Sequence, residues 1–222
     1  MSNSVFIDAG HGGKDSGAIG VNNVLEKSIA LSVAQKVEAK LKKCGIETAM
    51  SRTSDVFISL DGRTDKANSL KSKCFVSIHC NSFNKQAKGI ETYAYAEKYN
   101  RLASLVHAEL IKTGCYTINR GVKYKDLHVL RESNMSACLV ELGFIDNVED
   151  VNLLLNKQDE FATAIAKGIC AYLGVNYVEE SKPNGVTGLW AVCVGAYAYN
   201  TAKEMQQELI NKGYKDTYLI PR

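Results

Sequence analysis

Short apolar runs of strand length recur along this chain, separated by stretches with helical spacing. That alternation restricts the fold more than any other feature. VFIDAG (5–10), GIETAMSR (45–52), CFVSIHCN (74–81), GIETYAYA (89–96) and ACLVELGF (137–144) read as strands. From Glu26 onward, Ile29, Val33, Val37 and Leu41 recur every four residues on one helix face, and Gly45 suits the helix stop. Further helices are expected over 60–71, 98–113, 149–156 and 158–173. The class this implies is α/β, a mostly parallel sheet flanked by helices. The continuous apolar openings of the third and last strands fit central strands covered on both faces.

Folds of this kind gather chemistry at the carboxyl ends of their strands. His11, His79 and Glu141 fall at the ends or late portions of three strands, and Glu26 opens the first helix. A charged group among apolar neighbours needs a partner, because an unpaired buried charge is costly. Two histidines and a carboxylate make a zinc shell with one open position. A second carboxylate nearby would serve as general base and then general acid. Each residue also has a plainer reading. His11 would cap a loop, Glu26 would answer the helix dipole, and His79 would be satisfied by a core hydrogen bond. Glu141 would pair with Arg131 or Arg63. Cys80 follows His79 directly, and strand alternation points it to the opposite face. His107 reads as a surface or packing residue, whereas His128 would reach the cleft mouth and bind substrate or stabilise the oxyanion.

Charge and composition remove several classes. A net charge of +3 with no basic stripe interleaved with aromatics gives no support for nucleic-acid binding. GHGGKDSG lacks the glycine, lysine and hydroxyl spacing of a phosphate-cradling loop. No stretch approaches a transmembrane span, so membrane insertion is not expected. Seven cysteines, an odd number without paired spacing, read as reduced core thiols. MSNSVFIDAGHGG enters a strand almost at once, with no basic run before an apolar segment, which implies synthesis in the cytoplasm without a signal peptide. Residues 176–188, with Pro183, Gly185 and Gly188, read as a linker after a catalytic domain over 1–175. Beyond it, 189–222 reads as a small βαβ unit, too short to bury a core alone.

IDAGHGGKDSGA around His11, Glu26 with its helix, SRTSD (51–55), LDGRTDKAN (60–68), SIHCNS (77–82), GVKYKDLHVLR (121–131) and VELGFIDNVED (140–150) follow one another across residues 3–175. With these motifs the chain resembles the zinc-dependent N-acetylmuramoyl-L-alanine amidases of the type-3 fold, found in autolysins and phage endolysins. The resemblance implies one zinc ion per catalytic domain, held by His11, Glu26 and His79, with Glu141 catalytic. It places Asn81, Arg63 and Arg131 near the cleft as supporting or substrate-side residues. It implies hydrolysis of the amide between N-acetylmuramic acid and L-alanine in peptidoglycan. A zinc peptidase cutting within the stem peptide, or a non-catalytic wall-binding protein, are the alternatives. Two departures stand out: His128 replaces an aromatic or aliphatic residue, and Cys80 a small one. The stretch from 114 to 126 is short and lacks the inserted helix with which some cell-division amidases block their cleft. LWAVCVGAY, Ala202, Leu209, Gly213, Tyr214 and TYLI resemble half of a SPOR domain, which implies wall binding, or a homodimer through 189–222. Small size and the missing signal fit a phage endolysin, released to the wall by a holin.

Overall fold

The computed structural model describes residues 4–116 and 118–179, together with Lys203 and Gln207. The chain divides into two compact units, Met1–Val178 and Glu179–Arg222. Of the linker expected over 176–188, only 176–179 is described; of the βαβ unit over 189–222, only Lys203 and Gln207. Cys193 also lies outside the described residues.

Among the described residues one six-stranded sheet forms the first unit, in the order β2-β1-β3-β6-β4-β5. The strands are β1 (Ser4–Ala9), β2 (Glu47–Met50), β3 (Cys74–Asn81), β4 (Ile90–Ala94), β5 (Asn119–Tyr124) and β6 (Ser136–Phe144). The helices are α1 (Glu26–Lys43), α2 (Leu60–Ser69), α3 (Arg101–Lys112), α4 (His128–Arg131), α5 (Val148–Asn156) and α6 (Gln158–Leu173). β2, β1, β3 and β6 run parallel, while β4 is antiparallel to β6 and parallel to β5.

Strand alternation sorts the sheet residues onto two unequal faces. Val5, Ile7 and Ala9 of β1, Cys74, Val76, Ile78 and Cys80 of β3, and Cys138, Val140 and Leu142 of β6 share the larger core. Ile29, Val33 and Val37 of α1, Leu102 and Val106 of α3, and Phe161, Ile165 and Ile169 of α6 bury that face. The opposite core is small: Phe6, Phe75, Ala137 and Leu139 pack against Ala67 of α2 and Val129 and Leu130 of α4. The Phe6 and Phe75 rings stack at 5.4 Å. Further along the same strands this lightly covered face carries Asp8, Ser77, His79 and Glu141. The sheet therefore turns polar where its cover ends.

Two elements escape the sequence pattern. β5 (NRGVKY) holds only Val122 and Tyr124 as large hydrophobic residues and has no buried position, so it shows no clear period-two signal. It is an edge strand held by pairing with β4. α4 is a single turn, too short for helical periodicity. His107 is a buried packing residue: Nδ1 lies 3.0 Å from the Thr92 hydroxyl and Nε2 2.8 Å from Asn119 Oδ1. The six cysteines among the described residues are free. No helix among those residues is long and apolar enough to cross a membrane.

One buried ion pair ties α2 to the sheet. Arg63 Nη1 donates to Asp8 Oδ1 at 2.6 Å, and the Ser77 hydroxyl donates to Asp8 Oδ2 at 2.7 Å. Arg63 also donates to the carbonyls of Ile58, Ala9 and His11. Replacing Arg63 with Met is expected to lower unfolding free energy by about 3–5 kcal/mol, because Asp8 stays buried without its cation. Urea denaturation measures this, and adding Asp8→Asn should recover part of the loss.

Candidate active site

The loop after β1 holds His11 in an unusual backbone conformation. Its φ is 58°, in the left-handed region that few non-glycine residues occupy. Two arginines fix that loop through its carbonyls. Arg52 donates to Ala9 O at 3.0 Å and to Gly10 O at 2.7 Å, and Arg63 donates to His11 O at 2.8 Å. Asp15 sets the ring: its Oδ2 lies 2.9 Å from His11 Nδ1, leaving Nε2 to face inward. A carboxylate behind an imidazole in this way orients the free nitrogen and raises its basicity.

Three donor atoms converge there. His11 Nε2 lies 3.0 Å from Glu26 Oε1 and 3.1 Å from His79 Nδ1, and His79 Nδ1 lies 2.8 Å from the same Glu26 oxygen. Glu26 enters from the first turn of α1, buried, with Oε2 accepting from the Ala18 amide at 2.8 Å. Its Oε1 also accepts from the Cys80 amide. Glycines leave the room required. A Cβ at Gly10 would sit 2.4 Å from the His79 ring, and one at Gly17 2.6 Å from Glu26 Oε2.

The donor set fits a divalent ion. Bonds of about 2.0 Å in a tetrahedral shell place ligand atoms about 3.3 Å apart, close to the spacings seen here. Burial works against charge on Glu26, yet the hydrogen bonds and charges of both histidines hold its carboxyl well below the usual range. Burial likewise disfavours the charged rings of His11 and His79, but Glu26 outweighs it and raises both. A metal would have to displace their protons.

Glu141 stands beside the cluster, paired in register with His79 across β3 and β6. Its Oε2 is buried without a hydrogen-bond partner among the described residues. Burial, with Glu26 and Glu91 adding like-charge repulsion against the pull of His79, pushes its carboxyl up to about 7. The salt bridge to Arg131 or Arg63 does not form. Arg131 pairs with Asp126 and Glu132, and Arg63 with Asp8. Cys80 belongs to the opposite, larger core, and only its amide reaches the cluster.

A cleft of about 300 Å³ opens over these groups, lined among others by His11, Glu26, His79, Asn81, Tyr93 and Glu141. Of the remaining expected residues, only Asn81 reaches it. Arg63 is 3% exposed and committed to Asp8 and the loop carbonyls, so its role is to hold the backbone rather than touch substrate. His128 Nε2 lies 3.0 Å from Asp61, and Arg131 sits in its own ion pairs; both fall outside the lining.

Two carboxylates escaped the sequence reading. Asp15 follows His11 by four residues, a spacing that carries no signal in a loop. Glu91 was legible by the logic applied to Glu141, since it is an acid within an alternating apolar strand. It is 2% exposed and opposite Glu141 on β4. Asn81 Nδ2 and the Tyr93 hydroxyl donate to its Oε1 at 2.7 and 2.6 Å. Arg120 Nε and Lys123 Nζ donate to its Oε2 at 2.8 and 2.5 Å.

A family profile described as N-acetylmuramoyl-L-alanine amidase matches residues 5–171. The chain belongs to that family. It is an amidase, an enzyme acting on peptidoglycan. A sporulation-specific N-acetylmuramoyl-L-alanine amidase of Bacillus subtilis (strain 168) is 36% identical over 97% of this amidase and 84% of the relative. The endolysin of Bacillus phage SPP1 is 39% identical, over 76% of the chain and 64% of the relative. Among solved structures, the catalytic domain of CwlV, an N-acetylmuramoyl-L-alanine amidase from Bacillus (Paenibacillus) polymyxa var. colistinus, superposes with a TM-score of 0.76. It is 38% identical, and the match covers 79% of this amidase and 100% of that chain.

Glu91 should make the amidase sensitive to acid. Burial opposes its charge, but hydrogen bonds from Lys123, Tyr93 and Arg120 prevail and lower its pKa. A depressed folded pKa gives stability that is present above the unfolded value, about 4.3, and lost as pH falls through the folded one. Glu91→Gln should therefore cost about 1–3 kcal/mol at pH 7, toward the low end because Arg120 and Lys123 are partly solvated. Urea titrations should show the gap from wild type closing below about pH 4.

Proposed function

We propose that His11, Glu26 and His79 hold one zinc ion, and that Glu141 is the general base and acid for cutting the amide between N-acetylmuramic acid and L-alanine. The observation that carries this is the convergence of three donor atoms within 2.8–3.1 Å beside a buried carboxylate oxygen without a partner. Zinc in that position supplies Lewis acidity, which acidifies water and polarises a carbonyl. Glu141 takes a proton from the attacking water as its oxygen bonds to the lactyl carbonyl carbon. As the C–N bond breaks, Glu141 returns the proton to the alanine nitrogen. The products are a glycan bearing free lactyl carboxylates and an intact stem peptide with a free alanine amine. A carboxyl raised toward neutrality by burial suits both transfers. Asp15 keeps His11 Nε2 turned inward throughout.

Glu141→Gln should bind zinc with near wild-type stoichiometry while losing about 10²-fold or more in turnover. Chelation should abolish activity, and added zinc should restore it. Mass spectrometry of digested sacculi is the decisive measurement. Stem peptides cut internally would convert the reading to a zinc peptidase, and full activity in Glu141→Gln would remove the general-base role.

The setting belongs to the same proposal. A phage endolysin, made in the host cytoplasm and released by a holin, is supported by the SPP1 relative. The sporulation-specific relative, similar over 97% of the chain, favours a host autolysin instead. Residues 189–222 are proposed to bind the wall and to pair two chains, since so short a segment buries little core alone. Lysis timed against prophage induction tests the first. Light scattering with and without 177–222 tests the second, a dimer being expected only for the full chain.

A further inference from the structure

We infer that Lys125 forms an anion subsite in the cleft, taking the free α-carboxylate of the acidic residue that follows alanine in the stem peptide. This rests on the amidase reading above and adds the feature of the substrate that is recognised. Lys125 is the one lysine or arginine lining the cleft among the described residues. The cations around it are committed elsewhere: Lys123 and Arg120 to Glu91, Arg131 to Asp126 and Glu132. Lys125 has no such carboxylate among the described residues. Its ammonium lies 5.6 Å from the centroid of the Tyr93 ring, a contact that leaves it able to accept an anion. The backbone is anchored just beyond β5, where the Lys125 amide donates to Ala94 O at 3.0 Å.

The register sets the reach. Tyr93 lies opposite Leu139, and Glu91 opposite Glu141, so Tyr93 stands two residues along the same face from the position of the proposed acid. Two strand residues span about 7 Å. In an extended peptide, the α-carboxylate of the second residue lies about two residue lengths, again about 7 Å, from the nitrogen released from the lactyl group. With Glu26 given to the proposed zinc ion, Lys125 is the cationic side chain of the described lining that can meet this carboxylate.

The test compares two disaccharide-tripeptides that differ only at the second residue, D-glutamate with its carboxylate free or D-isoglutamine with that group amidated. The full-length wild-type enzyme should use the free acid with a kcat/KM about five- to tenfold higher, chiefly through KM. Lys125→Gln should lose that preference through a higher KM for the acid, and Lys125→Glu should invert it. Equal use of both substrates by the wild type, or a preference that survives in Lys125→Gln, overturns the subsite. Failure of the wild type to release a free alanine amine from either substrate sinks the amidase reading itself, which sets the two failures apart.

Discussion

Three polar atoms held at hydrogen-bond distance from one another, on the polar end of a sheet face, set the terms for much of the surrounding structure. His11, Glu26 and His79 come from a loop, a helix start and a strand, so no local preference brings them together. Their proximity costs desolvation, and it persists because protons or a cation bridge them. The glycines at 10 and 17 follow from this. Each stands where a methyl group would strike a member of the cluster. The positive φ of His11 follows too, since the chain must turn sharply at the end of β1 to aim a side chain back over the sheet. Strain of this kind is held by surrounding contacts. Arg52 and Arg63 supply them by gathering the loop carbonyls.

The unequal faces of the sheet explain how such a site stays open. Helices α1, α3, α5 and α6 cover the larger core, and on that side the positions of β1, β3 and β6 from Val5 to Leu142 are apolar. The other face has only α2 and the single turn of α4. Where that cover stops, alternating positions fall on polar side chains, and Asp8, Ser77, His79 and Glu141 follow in sequence across β1, β3 and β6. Asp8 accepts from both Ser77 and Arg63, closing the boundary between dry core and cleft. His79 and Glu141 lie just past it. A buried cleft carboxylate is tolerated there because water and ligands reach one side of it.

Much of this could be seen in the residues themselves. The period-four apolar spacing of α1 and the dense apolar runs of β3 and β6 are written by burial on one or both sides. Those elements lie where the pattern puts them. β5 could not be read this way, because an edge strand with half-solvated side chains owes its existence to hydrogen bonds with β4 rather than to hydrophobic period. At the site, His79 and Glu141 were visible as polar groups in apolar strands, whereas His11 in a glycine-rich loop and Glu26 at a helix start stood out only through the motifs around them. Arg63 was visible as well, but its task was not. A sequence motif shows that an arginine is required near a site, not whether its guanidinium faces substrate or carbonyl oxygens. Asp15 gave no signal, since an aspartate in a glycine-rich loop is ordinary until the fold shows which imidazole it touches.

Glu91 and Glu141 occupy facing positions on neighbouring strands, and like charges opposite one another on a sheet repel. The arrangement persists because the two are treated differently. Glu91 receives four donors, two of them cationic, and is held ionised as a fixed part of the wall. Glu141 receives no donor on its buried oxygen among the described residues, and burial pushes its carboxyl up to about 7. The charge on Glu91, added to burial and to the charge on Glu26, helps keep the Glu141 carboxyl high. Pairs of carboxylates pushed apart in this way divide labour between structure and chemistry. With Lys123 spent on Glu91, the next lysine on the same side of β5 is the one left facing the cleft. The distribution of cations along GVKYKD thus follows from which of two neighbouring acids must remain unneutralised.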